Sequence, residues 1–197
     1  MRKLYEKNEL TFAIVWIVIY CVLQSLANPL NEKIGVEYSA SAIFSILQSV
    51  ILLVFIRKNN LLKRYGLCKS PISASRFLFY IPLIILATRN FWNGAAFNLN
   101  LAGTVCYIAC MLWVGFLEEV IFRGLLFKAI AKDNVKTAII ISSVTFGLGH
   151  LLNLVNGSGA GIVENLFQVT GAIAIGFLFV ILYYRGGSLF PCIITHS

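Results

Sequence analysis

Long apolar runs divided by short polar or basic stretches set the plan of this chain. Leu10 to Ala27, Ser39 to Ile56, Leu101 to Lys128, Thr137 to Val155 and Ile162 to Tyr184 each read as a membrane-crossing helix, for which ~20 apolar residues suffice. Phe77 to Thr88 is apolar but short, and Pro82 interrupts it. It reads as a kinked span that begins earlier or as a re-entrant piece. Ser188 to Ser197 opens a last apolar segment that stops after ten residues. Asn28 to Tyr38, with Pro29 and Gly35, is expected to be a loop, and Asn156 to Gly161 and Arg185 to Gly187 are expected to be turns. Arg89 to Asn100 is rich in Asn and aromatic residues, as interfacial segments are. The predicted fold is all-α, a polytopic transmembrane helical bundle of about six full spans plus a truncated seventh.

Composition supports that plan. Of the 197 residues 59% are hydrophobic and only 12% charged, and the mean hydropathy is +0.85. A soluble domain of this size carries far more charge. The net charge of +8 does not form a nucleic-acid patch, because the basic residues lie between apolar runs. Successive hydrophilic segments hold 3, 1, 6, 1, 3, 0 and 1 of them, leaving out Arg123 inside a span. Every odd-numbered segment exceeds its neighbours, which requires Phe77 to Thr88 to cross and puts the N-terminus in the cytoplasm. The stretch Arg57 to Arg76, with six basic residues and no acidic one, is read as a cytoplasmic loop enforcing that topology. The first apolar run is longer than a signal peptide's, and Asn28-Pro29 makes no small-residue cleavage site, so a retained helix is expected. Five cysteines without a CxxC pair, four of them in apolar runs, read as buried free thiols.

Against this apolar background the stretch Gly115-Phe-Leu-Glu-Glu-Val-Ile-Phe-Arg-Gly124 stands out. Ionisable groups at membrane depth are costly and mark functional sites by default. Four residues apart on a helix, Glu119 and Arg123 share a face and can pair. Glu118 lies about 100° round the helix and meets a different neighbour. The plain alternative is one structural ion pair with a neutral or hydrated spare glutamate. Counting from the basic boundaries at 1.5 Å per residue, Glu118 is ~15 Å deep, His150 ~21 Å and His196 ~16 Å. In a hydrocarbon core ~30 Å thick all three fall near the middle. Each histidine alone reads as a hydrogen-bonded core residue or, at position 196, a frayed end, and Asn153 and Asn156 as helix-ending groups. Together, Glu, His and His from three helices can polarise a water, either directly or around a metal with an open position.

These residues resemble the motifs of the CAAX prenyl endopeptidase type 2 and bacteriocin-processing (Abi, or CPBP) intramembrane proteases. The first motif, Glu-Glu-x-x-x-Arg, is present as Glu118-Glu119-Val-Ile-Phe-Arg123, and the second, Phe-x-x-x-His, as Phe146-Gly-Leu-Gly-His150. Thr195-His196 looks like the start of the third, a late-helix His followed four residues on by Asn. The resemblance covers residues 101–197, the catalytic core with its last helix incomplete; residues 1–100 match only as variable accessory helices. It implies an endopeptidase that cleaves a short or membrane-associated peptide or protein, with lipid bilayer and substrate as its partners and no nucleic acid. Glu118 would activate the attacking water with help from His150. Glu119, held by Arg123, would order the site, and His196 would stabilise the oxyanion or complete a water- or metal-binding site. Zinc or another divalent metal on Glu118, His150 and His196 and a metal-free glutamate-activated water are both open. The expected setting is a bacterial cell membrane. The third-motif Asn is absent before Ser197, which favours a truncated copy or an inactive family member acting as a regulator or bacteriocin-immunity protein. A proton-coupled transporter using Glu118 and His150 as a relay is the third reading; the lack of repeated halves argues against it.

Overall fold

The computed structural model describes the chain except for residues 78–80, 89–91, 93, 95–97 and 156–160 and the side chains at 74, 77, 153 and 155. Most of the predicted Arg89 to Asn100 and Asn156 to Gly161 connections, with Asn153 as a side chain and Asn156, therefore lie outside the described residues. A short helix, α1 (Arg2–Lys7), leads into α2 (Glu9–Ile34). Asn8 caps α2 by accepting the Thr11 N–H at 2.9 Å, and Glu9 adds a negative charge to its first turn. The loop expected from Asn28 does not start there, because α2 continues through Pro29 to Ile34. Proline removes one helical hydrogen bond, but α3 (Ser39–Lys58) holds the turn beyond it. Asn31 donates to Ser41 Oγ at 3.1 Å and accepts the Ala40 N–H at 2.8 Å. Gly35, at φ +73°, then ends the helix in the left-handed region. Nearer mid-helix, Gln24 donates to Ser45 Oγ at 2.9 Å, so α2 and α3 run antiparallel in a defined register.

The centre of the molecule is a continuous rod, Leu101–Ile130. It consists of α6 (Leu101–Glu118), a π-helical segment (Glu119–Leu126) and α7 (Phe127–Ile130). All eight residues of the π segment are buried, and α2, α8 (Val135–Gly149) and α10 (Ile162–Gly186) pack on it. A π turn bonds i to i+5, as the Phe127 N–H does to Phe122 O. The same carbonyl accepts Ser142 Oγ–H at 2.9 Å, which ties α8 to the rod. Helix α8 also lies unusually close to α10. A Cβ on Gly147 would run into the Ile173 side chain, and one on Gly176 would sit 3.0 Å from the Ser143 backbone. Small residues at such crossings let membrane helices pack by close backbone approach.

The basic stretch between α3 and α4 (Ala74–Phe77) is more than a charged tether. Tyr65 within it is buried, and burial pushes its phenol well above the ordinary value. Gly66 O accepts the Leu189 N–H at 2.9 Å, and Cys68 O accepts Ser188 Oγ–H at 2.8 Å. These bonds seat the turn from which α11 (Phe190–His196) enters the bundle. Glu9 joins Arg64 at 2.7 Å and Lys132 at 2.8 Å, locking the start of α2 to the same end of the molecule.

Among the described residues four helices are long and apolar enough to cross a membrane: Glu9–Ile34, Ser39–Lys58, Leu101–Ile130 and Ile162–Gly186. The expected count of six full spans and a partial seventh is not reached among the described residues. Thr137 to Val155 divides into α8 and α9 (Leu151–Val155) at His150, while the described part of Phe77 to Thr88 holds only α5 (Ile81–Thr88) beyond Phe77. Lengths of 15 and eight residues fall short of the ~20 needed for a straight crossing. Large apolar side chains such as Val18, Val22, Leu47 and Phe167 face outwards, as a bilayer permits and water does not. The protein is an integral membrane protein.

Candidate active site

Glu118 ends α6 and Glu119 begins the π segment, so the two adjacent carboxylates leave the rod towards different neighbours. Glu119 and Arg123 make the i, i+4 pair expected from their spacing, with Nη1 2.9 Å from Oε1 and both side chains fully buried. The Arg123 guanidinium lies 4.1 Å from the Phe146 ring centroid and 5.4 Å from that of Phe179. In a desolvated setting such stacking is worth ~2 kcal/mol. It matters here because Nε and Nη2 of Arg123 have no hydrogen-bond partner among the described residues. Phe146, the first residue of the second motif, thus seats the arginine of the first.

His196 stands between the two glutamates. Its Nδ1 is 2.8 Å from Glu119 Oε1 and its Nε2 is 3.3 Å from Glu118 Oε2. The other oxygen of Glu118, Oε1, accepts the hydroxyl of Tyr20 from α2. An unbroken polar line therefore runs Tyr20–Glu118–His196–Glu119–Arg123 across α2, the central rod and α11. His150 occupies the turn between α8 and α9, with its N–H on Gly147 O at 3.1 Å and its ring edge-to-face with Phe146. No hydrogen bond joins it to Glu118. Instead Glu118, His150, His196 and Tyr20 line one cavity of about 440 Å³. A second cavity, of about 550 Å³, also touches Phe146, His150 and His196 and is walled by Leu86, Phe167 and Ile175 together with Glu164, Gln168 and Thr195. The two histidines are shared by both cavities.

Among the described residues no group of three or more His, Cys, Asp or Glu is placed to hold a metal ion. Glu119 takes Nδ1 of His196 and Tyr20 takes Oε1 of Glu118, so the atoms of the pair that face each other, His196 Nε2 and Glu118 Oε2, are those that would hold a metal if one were bound, with His150 on the wall of the same cavity. All five residues singled out in the sequence, Glu118, Glu119, Arg123, His150 and His196, gather here. Tyr20 was missed. The signal for it is a helical stripe of polar residues, Tyr20, Gln24, Asn28 and Asn31, within an otherwise apolar run.

The protein is thus a helical membrane protein with a buried Glu-Glu-Arg cluster and two histidines that line two cavities. Residues 100–197 match the family model of the type II CAAX prenyl endopeptidase Rce1-like proteins. The chain belongs to this family, which is a family of proteases. No curated protein and no solved structure matches the chain.

Proposed function

We propose that the chain is an intramembrane endopeptidase that hydrolyses a peptide bond in a CAAX-type or other membrane-associated substrate, with Glu118 as the base. The observation that supports this reading is the position of Glu118 Oε2. It faces the His196 Nε2 in a cavity that His150 also lines. A water held in that cavity gives one proton to Glu118 while its oxygen attacks the scissile carbonyl carbon. The oxygen of the tetrahedral intermediate is stabilised by an imidazole N–H, from His150 or from His196 Nε2. Glu118 then passes its proton to the amide nitrogen, the C–N bond breaks, and a carboxylate and an amine leave. Glu119 and Arg123 do not take part in these transfers; they hold His196 through Nδ1. The cavity at Glu118 has room for a peptide backbone beside the base, and the adjoining cavity, with Leu86, Phe167 and Ile175 among its walls, has room for an apolar side chain or lipid group next to the scissile bond.

The test uses the purified chain in lipid vesicles and an internally quenched farnesylated CAAX peptide. Wild type is expected to release the terminal tripeptide, and Glu118→Gln and His150→Ala to lower the rate at least ~100-fold, the scale of lost general acid–base help. Their melting temperatures should stay near wild type. A fully active Glu118→Gln protein would overturn the assignment of the base. A folded wild-type chain that cleaves nothing would point to the silent regulator instead.

A further inference from the structure

The polar line does not begin within the family-matched half of the chain. Its first member, Tyr20, belongs to α2, 98 residues before Glu118. Helix α2 packs on the π segment, and its register against α3 is set by Gln24 on Ser45 and Asn31 on Ser41. The Tyr20 hydroxyl therefore arrives at Glu118 from a helix anchored independently of the glutamate. A carboxylate at the end of a glutamate turns in a broad, two-fold torsional well, so its two oxygens are interchangeable unless something distinguishes them. Here Oε1 receives the phenol and Oε2 looks towards His196 and the cavity.

Resting on the endopeptidase reading above, we propose that Tyr20 is a positioning residue for the reaction. It pins Oε1 of Glu118, so that Oε2 alone accepts the proton of the attacking water, and the N-terminal half of the chain thereby completes the site. The simpler role is satisfaction of a buried carboxylate, which any well-placed donor achieves. The two roles differ in what they predict. Satisfaction alone supports stability, whereas pinning supports turnover and leaves substrate binding largely unchanged, since the Tyr20 hydroxyl is taken up by Glu118.

The experiment compares wild type, Tyr20→Phe and protein with 3-fluorotyrosine incorporated at position 20, on the farnesylated CAAX peptide in vesicles. Tyr20→Phe keeps the ring and removes the hydroxyl. Its kcat is expected to fall about 10-fold to 100-fold, the loss of one hydrogen bond to a charged group, with KM within about twofold. The fluorinated residue, which retains the hydroxyl, restores most of the rate. In parallel, the ¹⁹F resonance of that residue is expected to move when Glu118 is changed to Gln and to stay in place in Val18→Leu on the lipid-facing side. Unchanged kcat in Tyr20→Phe, a loss carried by KM, or a resonance indifferent to Glu118→Gln would each overturn the proposal. If wild type cleaves nothing, the endopeptidase reading fails on that result alone, and the fluorine resonance still decides whether Tyr20 holds Glu118.

Discussion

The central rod and α2 solve the same problem, placing polar groups inside a membrane bundle, in opposite ways. The π segment is buried all round and carries full charges. Glu119 and Arg123, both fully buried, tolerate this because each is the other's partner, with two aromatic rings against the guanidinium. Helix α2 presents Val18, Val22 and Leu26 outwards and buries little. Its charges sit only at the ends, Glu9 at one and Glu32 and Lys33 at the other; between them its polar residues are neutral, and Tyr20, Gln24 and Asn31 reach Glu118 and α3. The difference is that charge demands enclosure on every side, whereas hydroxyls and amides need only one partner helix.

The largest effect should come from breaking the enclosed pair. Arg123→Ala leaves Glu119 buried without its cation, a change that costs about 3–5 kcal/mol. Poor expression and a steep drop in melting temperature in vesicles or detergent are expected, along with loss of activity. Near-wild-type stability would mean that Glu119 is neutral or hydrated, and the contrast with α2 would dissolve. An intermediate effect is expected at the α8–α10 crossing. Gly147→Ala drives a methyl into Ile173 and to 3.0 Å from Val169 O, an overpacking cost of about 1–3 kcal/mol. Because Gly147 O also receives the His150 N–H, activity should fall further than thermal stability alone explains, and a crystal or cryo-EM structure of the variant should show the His150 ring displaced.

The smallest effect sharpens the other side of the comparison. Gln24→Leu removes one neutral interhelical hydrogen bond, worth about 0.6 kcal/mol within a membrane. Its melting temperature should drop only slightly, and Val18→Leu, on the outward face, should be indistinguishable from wild type. A loss from Gln24→Leu as large as that from Arg123→Ala would show that α2 is a structural keystone and not a lightly held wall.

Much of this protein was legible along the chain. Apolar runs too long and too poor in charge for a soluble core dictate a helical membrane protein, because only a closed hydrogen-bonded backbone survives in hydrocarbon. The Glu119–Arg123 pair follows from helical spacing, and the separate direction of Glu118 follows from its position one residue earlier. The sequence also picked out both histidines by their depth. What it did not determine are the relations between helices. Periodicity reports which residues share a face of one helix, and it carries nothing about which face of a distant helix arrives opposite. So the π segment, stabilised in part by Ser142 on Phe122 O from α8, was read as an ordinary helix. His150 was read within a span, and it sits in a turn where α8 ends. His196 was expected to act beside the glutamates, and the entry of α11 from a turn held by the 59–73 stretch puts it between them. Tyr20 meets Glu118 only because α2 passes the rod at that level, a fact of packing decided by the whole bundle at once.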